Sequence, residues 1–247
     1  MRVNFGGLDI LMADRGLAPS RTRAQALIMA RRVRVDGEFA VKSGAQVSDD
    51  ATISVDEPEH PWVSRGGVKL ARALDAFEID PKGLEVADIG ASTGGFTHVL
   101  LDRGASRVFA IDVGYGQLDQ SLREDERVVV MERVNARYLE ASDLPEMVSL
   151  VTIDVSFISL EFILPAARKI LCAGGALVAL IKPQFEVGRS DVGKGGIVRD
   201  EEARERAVEK VVTFADNLGF EKRGLIESPI RGAEGNVEYL LYAIHED

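Results

Sequence analysis

The residues best able to do chemistry here are two lysines and two carboxylates spread along the chain, Lys69, Asp154, Lys182 and Glu238. With them stands a glycine-rich run, Asp88-Ile89-Gly90-Ala91-Ser92-Thr93-Gly94-Gly95-Phe96. Val86 to Ile89 reads as a buried strand, the Gly/Ser/Thr cluster as a turn, and Phe96 to Leu101 as the start of a helix. Glycine tolerates positive φ and lets a ligand approach main-chain N–H groups. A strand-to-helix turn of this kind is the usual nucleotide crevice of an open α/β sheet. The run lacks the G-x-G-x-x-G spacing and any G-K-[ST], which argues against a P-loop. Asp112 closes a second apolar strand, Val108 to Val113, 24 positions after Asp88. An acid there accepts hydrogen bonds from ribose hydroxyls and repels a 2′-phosphate. The pair suits an adenosine cofactor with a free ribose, either NAD or S-adenosylmethionine. No hydride-transfer constellation accompanies it.

The elements that must position these groups follow from patterning. Further strands are expected at Val128 to Met131, Leu150 to Val155, Ala176 to Ile181, Gly224 to Ser228 and Val237 to Ala243. Helices are expected over Val63 to Phe77, Leu118 to Arg123 and Leu160 to Leu171, and from the cap Asp200 to Asn217, where Gly219 stops the last one. Asp154 and Lys182 then end two strands, Glu238 begins the last, and Asn135 follows the third, where an amide can meet an adenine edge. Carboxyl ends of strands face the ligand crevice in a doubly wound sheet, so the four ionisable groups are placed to converge. Lys69 lies off the Leu70–Ala73–Leu74–Phe77 stripe of its helix, a place where a lysine is ordinarily solvated. Residues 183–199 form a long, Gly-rich, charged loop of the kind that carries function.

Composition bounds the rest. At 247 residues, 46% hydrophobic, the chain has room for one or two domains. A single cysteine, Cys172, excludes an internal disulfide and fits a reducing cytosol. His60, His98 and His245 lack ligand spacing, so no metal site is expected. No long apolar span or leader is evident, which points to a cytoplasmic protein with no membrane role. Net charge is −10, yet Arg15, Arg21, Arg23, Arg31, Arg32 and Arg34 fall in a stretch free of acids. Local fields outweigh the total where the Debye length is about 8–10 Å. That stretch reads as a helix Leu8 to Arg15, a helix Ser20 to Ala30 capped by Ser20, a hairpin turning at Asp36-Gly37, and short strands near Val41 and at Thr52 to Val55. The expected division is a module over 1–57, a linker over 58–63 and an α/β domain over 64–247.

Arg21-x-Arg23-Ala24-x-x-Leu27-Ile28 followed by Arg31-Arg32-Val33-x-Val35-Asp36-Gly37 resembles the S4 RNA-binding domain. The order Lys69–Asp154–Lys182–Glu238 resembles the K-D-K-E tetrad of FtsJ-like ribose 2′-O-methyltransferases. The segments around residues 88–97, 112–116, 154–160, 182–188 and 235–239 look like the TlyA family, which joins the two modules and carries a historical haemolysin name. The resemblance implies a Rossmann-like S-adenosylmethionine-dependent methyltransferase behind a small α+β S4 domain. It implies 2′-O-methylation of a cytidine in ribosomal RNA of the large subunit, with the small subunit in doubt because the chain ends soon after Tyr242. The implied partner is ribosomal RNA or a ribosomal subunit; a monomer is expected, though the sequence does not fix the oligomeric state. A non-enzymatic ribosome-assembly factor and a membrane-active haemolysin are the competing readings.

The resemblance also assigns residues. Asp88, Gly90 to Phe96 (with Ala91, Ser92, Thr93, Gly94 and Gly95 between), Asp112, Val113, Asn135 and Asp154 would hold the cofactor. Arg15, Arg21, Arg23, Arg31, Arg32, Arg34 and Arg65 would meet RNA, where guanidinium forks suit phosphates. A ribose hydroxyl is a weak nucleophile near neutral pH. Lys182 is expected nearest to it, as a base or as the group steering its lone pair. Asp154 would orient Lys182, while Lys69 and Glu238 complete an alternating-charge network. A lysine acts as base only if its pKa falls; a second cation and a dry wall lower it, and carboxylates raise it.

Overall fold

A computed structural model divides the chain into two compact units, Met1–Pro61 and Trp62–Asp247. It describes residues 5–29, 31–40, 42–56 and 60–246. Val41, near which a strand was expected, and residues 58 and 59 of the expected linker lie outside the described residues.

In the first unit β1 (Phe5–Gly7) leads into α1 (Leu8–Asp14), and α2 (Arg21–Met29) follows. Ser20 caps α2 as expected, its hydroxyl accepting from the Arg23 N–H at 3.2 Å. Next come β2 (Val33–Val35), β3 (Glu38–Phe39), β4 (Gln46–Ser48) and β5 (Ile53–Val55). β2 and β3 make a hairpin with Val35 opposite Glu38. Both turn residues have positive φ, Asp36 at 50° and Gly37 at 91°, as the favoured two-residue turn requires. β1 pairs with β4, a pairing the sequence pattern missed because each strand is only three residues long. Leu8, Met12, Leu27, Ile28, Val33 and Val47 fill the core of this unit.

The second unit opens with α3 (Gly66–Ala76), then β6 (Glu85–Ile89), α4 (Gly95–Asp102), β7 (Arg107–Asp112), α5 (Gln120–Arg123), β8 (Val128–Glu132) and β9 (Val148–Ile153). It continues with α6 (Leu164–Ile170), β10 (Leu171–Ile181), α7 (Pro183–Glu186), α8 (Glu201–Asn217), β11 (Phe220–Glu227) and β12 (Tyr239–His245). The seven strands run in the order β11-β12-β10-β9-β6-β7-β8. β8, β7, β6, β9 and β10 are parallel, and β12 is antiparallel to both β10 and β11. The chain leaves β6 toward β7 and β8, then returns to β9 on the opposite side. The crevice above β6 and β9 is therefore the topological switch point where such sheets bind ligands. Helices cover both faces. Leu70, Leu74, Val99 and Leu100 pack on one side of the sheet, and Ile163, Ile170, Val211 and Phe220 on the other.

Two expectations are corrected. The helix expected over Leu160 to Leu171 is a 3₁₀ turn at Leu160–Phe162 followed by α6. Pro165 has no N–H and fits only the first turn of a new helix. Gly174-Gly175 does not precede the fifth strand but lies inside it: β10 starts at Leu171 opposite Val148, and pairing resumes with Ala176 opposite Leu150. The extra residues bulge out, with Gly174 at φ 73°. Among the described residues no helix is long and apolar enough to cross a membrane.

Candidate active site

The glycine-rich turn sits over the switch point. Gly90 (φ 86°) and Gly94 (φ 96°) adopt the left-handed conformation, and Ser92 does so at 48°. A Cβ on Gly90 would stand 2.4 Å from the Asp154 carbonyl oxygen. Only glycine allows the β6 turn to lie this close to the end of β9. Asp112 accepts the Ser92 N–H at 2.8 Å and the Gly114 N–H at 2.7 Å, one on each oxygen. These bonds hold the unusual Ser92 backbone while leaving each oxygen a second lone pair. The first N–H groups of α4 have no partner within the helix. They border a cavity of about 180 Å³ lined by Ser64, Gly90, Ala91, Ser92, Thr93, Gly95, Phe96, Asp154, Ser156 and Lys182.

Asp88 is not in that lining. It is wholly buried, with Thr97 Oγ1 donating at 2.6 Å and Thr152 Oγ1 at 3.1 Å. It supports the turn from beneath by tying α4 to β9. Burial pushes its carboxyl up to about 7, against the two threonine hydroxyls, which pull it down. Val113 is 72% exposed at the end of β7. Asn135 Oδ1 caps a short 3₁₀ turn by accepting the Arg137 N–H at 3.2 Å, and Asn135 is not in the lining of that cavity.

The four ionisable groups come together as two ion pairs. Lys69 Nζ donates to Glu238 Oε2 at 2.6 Å, and Lys182 Nζ stands 2.5 Å from Asp154 Oδ1. Register explains the meeting. Ile181 is opposite Tyr239, so the antiparallel β12 brings Glu238 beside Lys182 at the carboxyl edge of the parallel strands. Lys69, off the apolar stripe of its helix where a lysine is ordinarily solvated, is buried, at 8% exposure. Glu238 supplies the counter-charge that makes this burial tolerable.

Lys69, Lys182 and Glu238 line a second cavity of about 480 Å³, together with Arg65, Phe157, Gln184, Phe185, Arg231 and Glu234 among others. Among the described residues only Ser156 and Lys182 line both cavities. Ser156, Phe157, Gln184 and Arg231 were not singled out in the sequence. Phe157 is 90% exposed with φ 64°, its ring tilted against Phe185 with centroids 5.2 Å apart. An apolar ring held open to water on a strained backbone is a usable sign of function. In the primary sequence it is one more Phe in a loop.

The arginines of the first unit divide into two sets. Arg21 donates to the buried Asp9 at 2.8 Å, Arg15 to the Ala51 carbonyl at 2.7 Å and Arg32 to the Asp56 carbonyl at 2.8 Å. Arg34 pairs with Asp56 and lies 3.7 Å over the Phe39 ring. The Arg21 guanidinium and the Gln25 amide hold the Asp9 carboxyl below the usual range. These four arginines therefore brace the module. Arg23 and Arg31 are exposed and make no hydrogen bond or ion pair from their side chains among the described residues. Arg65, in the second unit, is exposed at the rim of the larger cavity.

Residues 62–244 match the FtsJ-like methyltransferase family, and residues 6–53 match the S4 domain. Fold and site thus define a methyltransferase with an FtsJ-like sheet, fused to an S4 module. A Mycobacterium tuberculosis protein, 16S/23S rRNA (cytidine-2′-O)-methyltransferase TlyA, is 50% identical over 236 residues, 95% of this chain and 88% of that protein. The 23S rRNA (cytidine-2′-O)-methyltransferase TlyA of Campylobacter jejuni is 38% identical over 74% of this chain and 71% of its own length. A solved Streptococcus thermophilus structure that bears the hemolysin name superposes with a TM-score of 0.78 at 43% identity, covering 100% of this chain and 90% of that one. The chain belongs to the TlyA family.

Proposed function

We propose that this protein transfers the methyl group of S-adenosylmethionine to the 2′-hydroxyl of a cytidine in large-subunit ribosomal RNA. The donor set fits that cofactor. Helix-start N–H groups and small residues around the lesser cavity suit a carboxylate, Asp154 suits a cationic end, and Asp112 has lone pairs open for ribose hydroxyls. The cofactor supplies an already activated methyl group, so the protein's work is orientation and proton management.

The observation that carries the reading is the junction of the two cavities. Lys182 borders both, which puts one amine where a donor in the smaller cavity and a ribose in the larger would meet. Lys182 takes up the hydroxyl proton or steers the oxygen lone pair, and Asp154 orients the amine. The Lys69–Glu238 pair supplies a buried dipole beside the ribose. Arg65 and Arg231 give the larger cavity the cationic rim that an RNA phosphate needs. Arg23 and Arg31 on the S4 unit offer RNA phosphates contacts of their own, and the setting is cytoplasmic. Both relatives' names include the 23S rRNA, which favours the large subunit.

The test is transfer of a radiolabelled methyl group from S-adenosylmethionine to purified large and small ribosomal subunits, with 2′-O-methyl sites mapped afterwards. Label in a large-subunit cytidine is the expected result. Cofactor binding without any label in RNA would sink the proposal and favour an assembly factor.

A further inference from the structure

We infer that Ser156 is a positioning residue for Lys182, fixing the direction in which its amine lone pair points. Two facts carry this. Lys182 Nζ donates to Ser156 Oγ at 2.9 Å while standing 2.5 Å from Asp154 Oδ1. Ser156 and Lys182 are also the residues shared by the two cavities.

A lysine amine has three staggered directions about its Cε–Nζ bond. In the neutral amine two hold hydrogens and one the lone pair. Asp154 attracts one hydrogen, which leaves the second hydrogen and the lone pair free to exchange places. The Ser156 hydroxyl oxygen accepts the second hydrogen and removes that ambiguity. The third direction then opens toward the shared space. Such a lone pair takes the proton as the ribose O2′–H bond breaks, while O2′ bonds to the methyl carbon and the sulfur–methyl bond yields its electron pair to sulfur. The Ser156 loop is itself tied to the Lys182 segment: Glu186 of α7 accepts from Ser159 Oγ at 2.6 Å and from the Leu160 N–H at 2.8 Å. Both partners of the Lys182–Ser156 bond are therefore anchored through Glu186, as preorganisation requires.

This inference rests on the proposed methyl transfer and on Lys182 acting as the base, and its test separates the two levels. Ser156→Ala should lower kcat by about ten- to a hundredfold, the value of a hydrogen bond to an amine that must be aligned. KM for RNA and the affinity for S-adenosylhomocysteine should change by less than about twofold. Ser156→Thr keeps the hydroxyl and should recover most of kcat. Independently of activity, the Lys182 Nζ ¹⁵N shift, read through the Cε protons and assigned by its loss in Lys182→Ala, should match wild type in Ser156→Thr and move in Ser156→Ala, which has lost the hydrogen-bond acceptor. Full activity of Ser156→Ala, equal loss in both variants, or loss confined to cofactor affinity would each overturn the inference. A wild type that binds cofactor yet labels no RNA overturns the methyl-transfer reading and this inference together.

Discussion

Lys69 and Glu238 lie 169 positions apart in the chain and meet at 2.6 Å. The lysine comes from α3, before the first strand of the sheet. The glutamate precedes β12, which runs against its parallel neighbours and so starts at the edge where they end. Both side chains are nearly dry, with 10% and 3% exposure. A buried pair of this kind contributes little net stability compared with a packed apolar pair. Both residues line the larger cavity, which ties the pair to the site beside it.

Stability and activity should therefore separate at this pair. Lys69→Met strands a buried carboxylate and should cost about 3–5 kcal/mol in urea unfolding of the methyltransferase unit. The double variant Lys69→Met/Glu238→Leu should regain most of that stability and still transfer no methyl group. A double variant with near wild-type turnover would show that the pair serves the fold alone.

Lys182→Ala should reduce methyl transfer by about a thousandfold, within the usual range for general acid–base groups. Its affinity for S-adenosylhomocysteine, read by calorimetry, should stay close to wild type. Parallel loss of binding and rate would make Lys182 a cofactor ligand instead of a base.

Asp88 should give the protein a pH-dependent stability. In the unfolded chain its carboxyl loses its proton near 3.8, whereas burial holds the proton in the fold up to about 7. Between those values the folded state binds more protons, so stability falls as pH rises through the window and levels off above it. Asp88→Asn cannot titrate. The difference in urea midpoint, wild type minus Asp88→Asn, should decline from about pH 4.5 to pH 7 and then stay flat. A flat difference throughout would contradict the assignment.

The two sets of arginines in the S4 unit should behave differently. Arg21→Ala leaves Asp9, 1% exposed, with one partner fewer and should lower the stability of that unit by about 1 kcal/mol. Arg23→Glu with Arg31→Glu should spare the fold and weaken RNA binding. The slope of log affinity against log salt should fall by roughly one for each phosphate that is no longer neutralised. An unchanged slope would move the RNA contact elsewhere.

Much of the site was legible as local pattern. The glycine turn, the Asp112 strand end, the Asp36-Gly37 hairpin and the Asp200 cap are each set by a few neighbouring residues, and each stands where patterning put it; Asp200 accepts the Glu202 N–H at 3.2 Å. The burial of Lys69 could not be read from its helical stripe, which counts only apolar residues, because it depends on a carboxylate far along the chain. Asp88 was assigned to the cofactor because its proximity to the turn is visible, whereas the direction of its side chain is not. Ser156 gave no signal, since a serine in a polar loop looks the same with or without a lysine 2.9 Å away.

The sequence by itself determined which residues can turn, cap, alternate and carry charge, because those properties depend on neighbours within a few positions. Tertiary structure alone decided who meets whom: the register of Ile181 with Tyr239, the return of the chain from β8 to β9, and the two cavities that share Lys182. Side-chain distances between remote segments follow from strand order and direction. Those are fixed by burial on both faces of the sheet and not by any short run of residues.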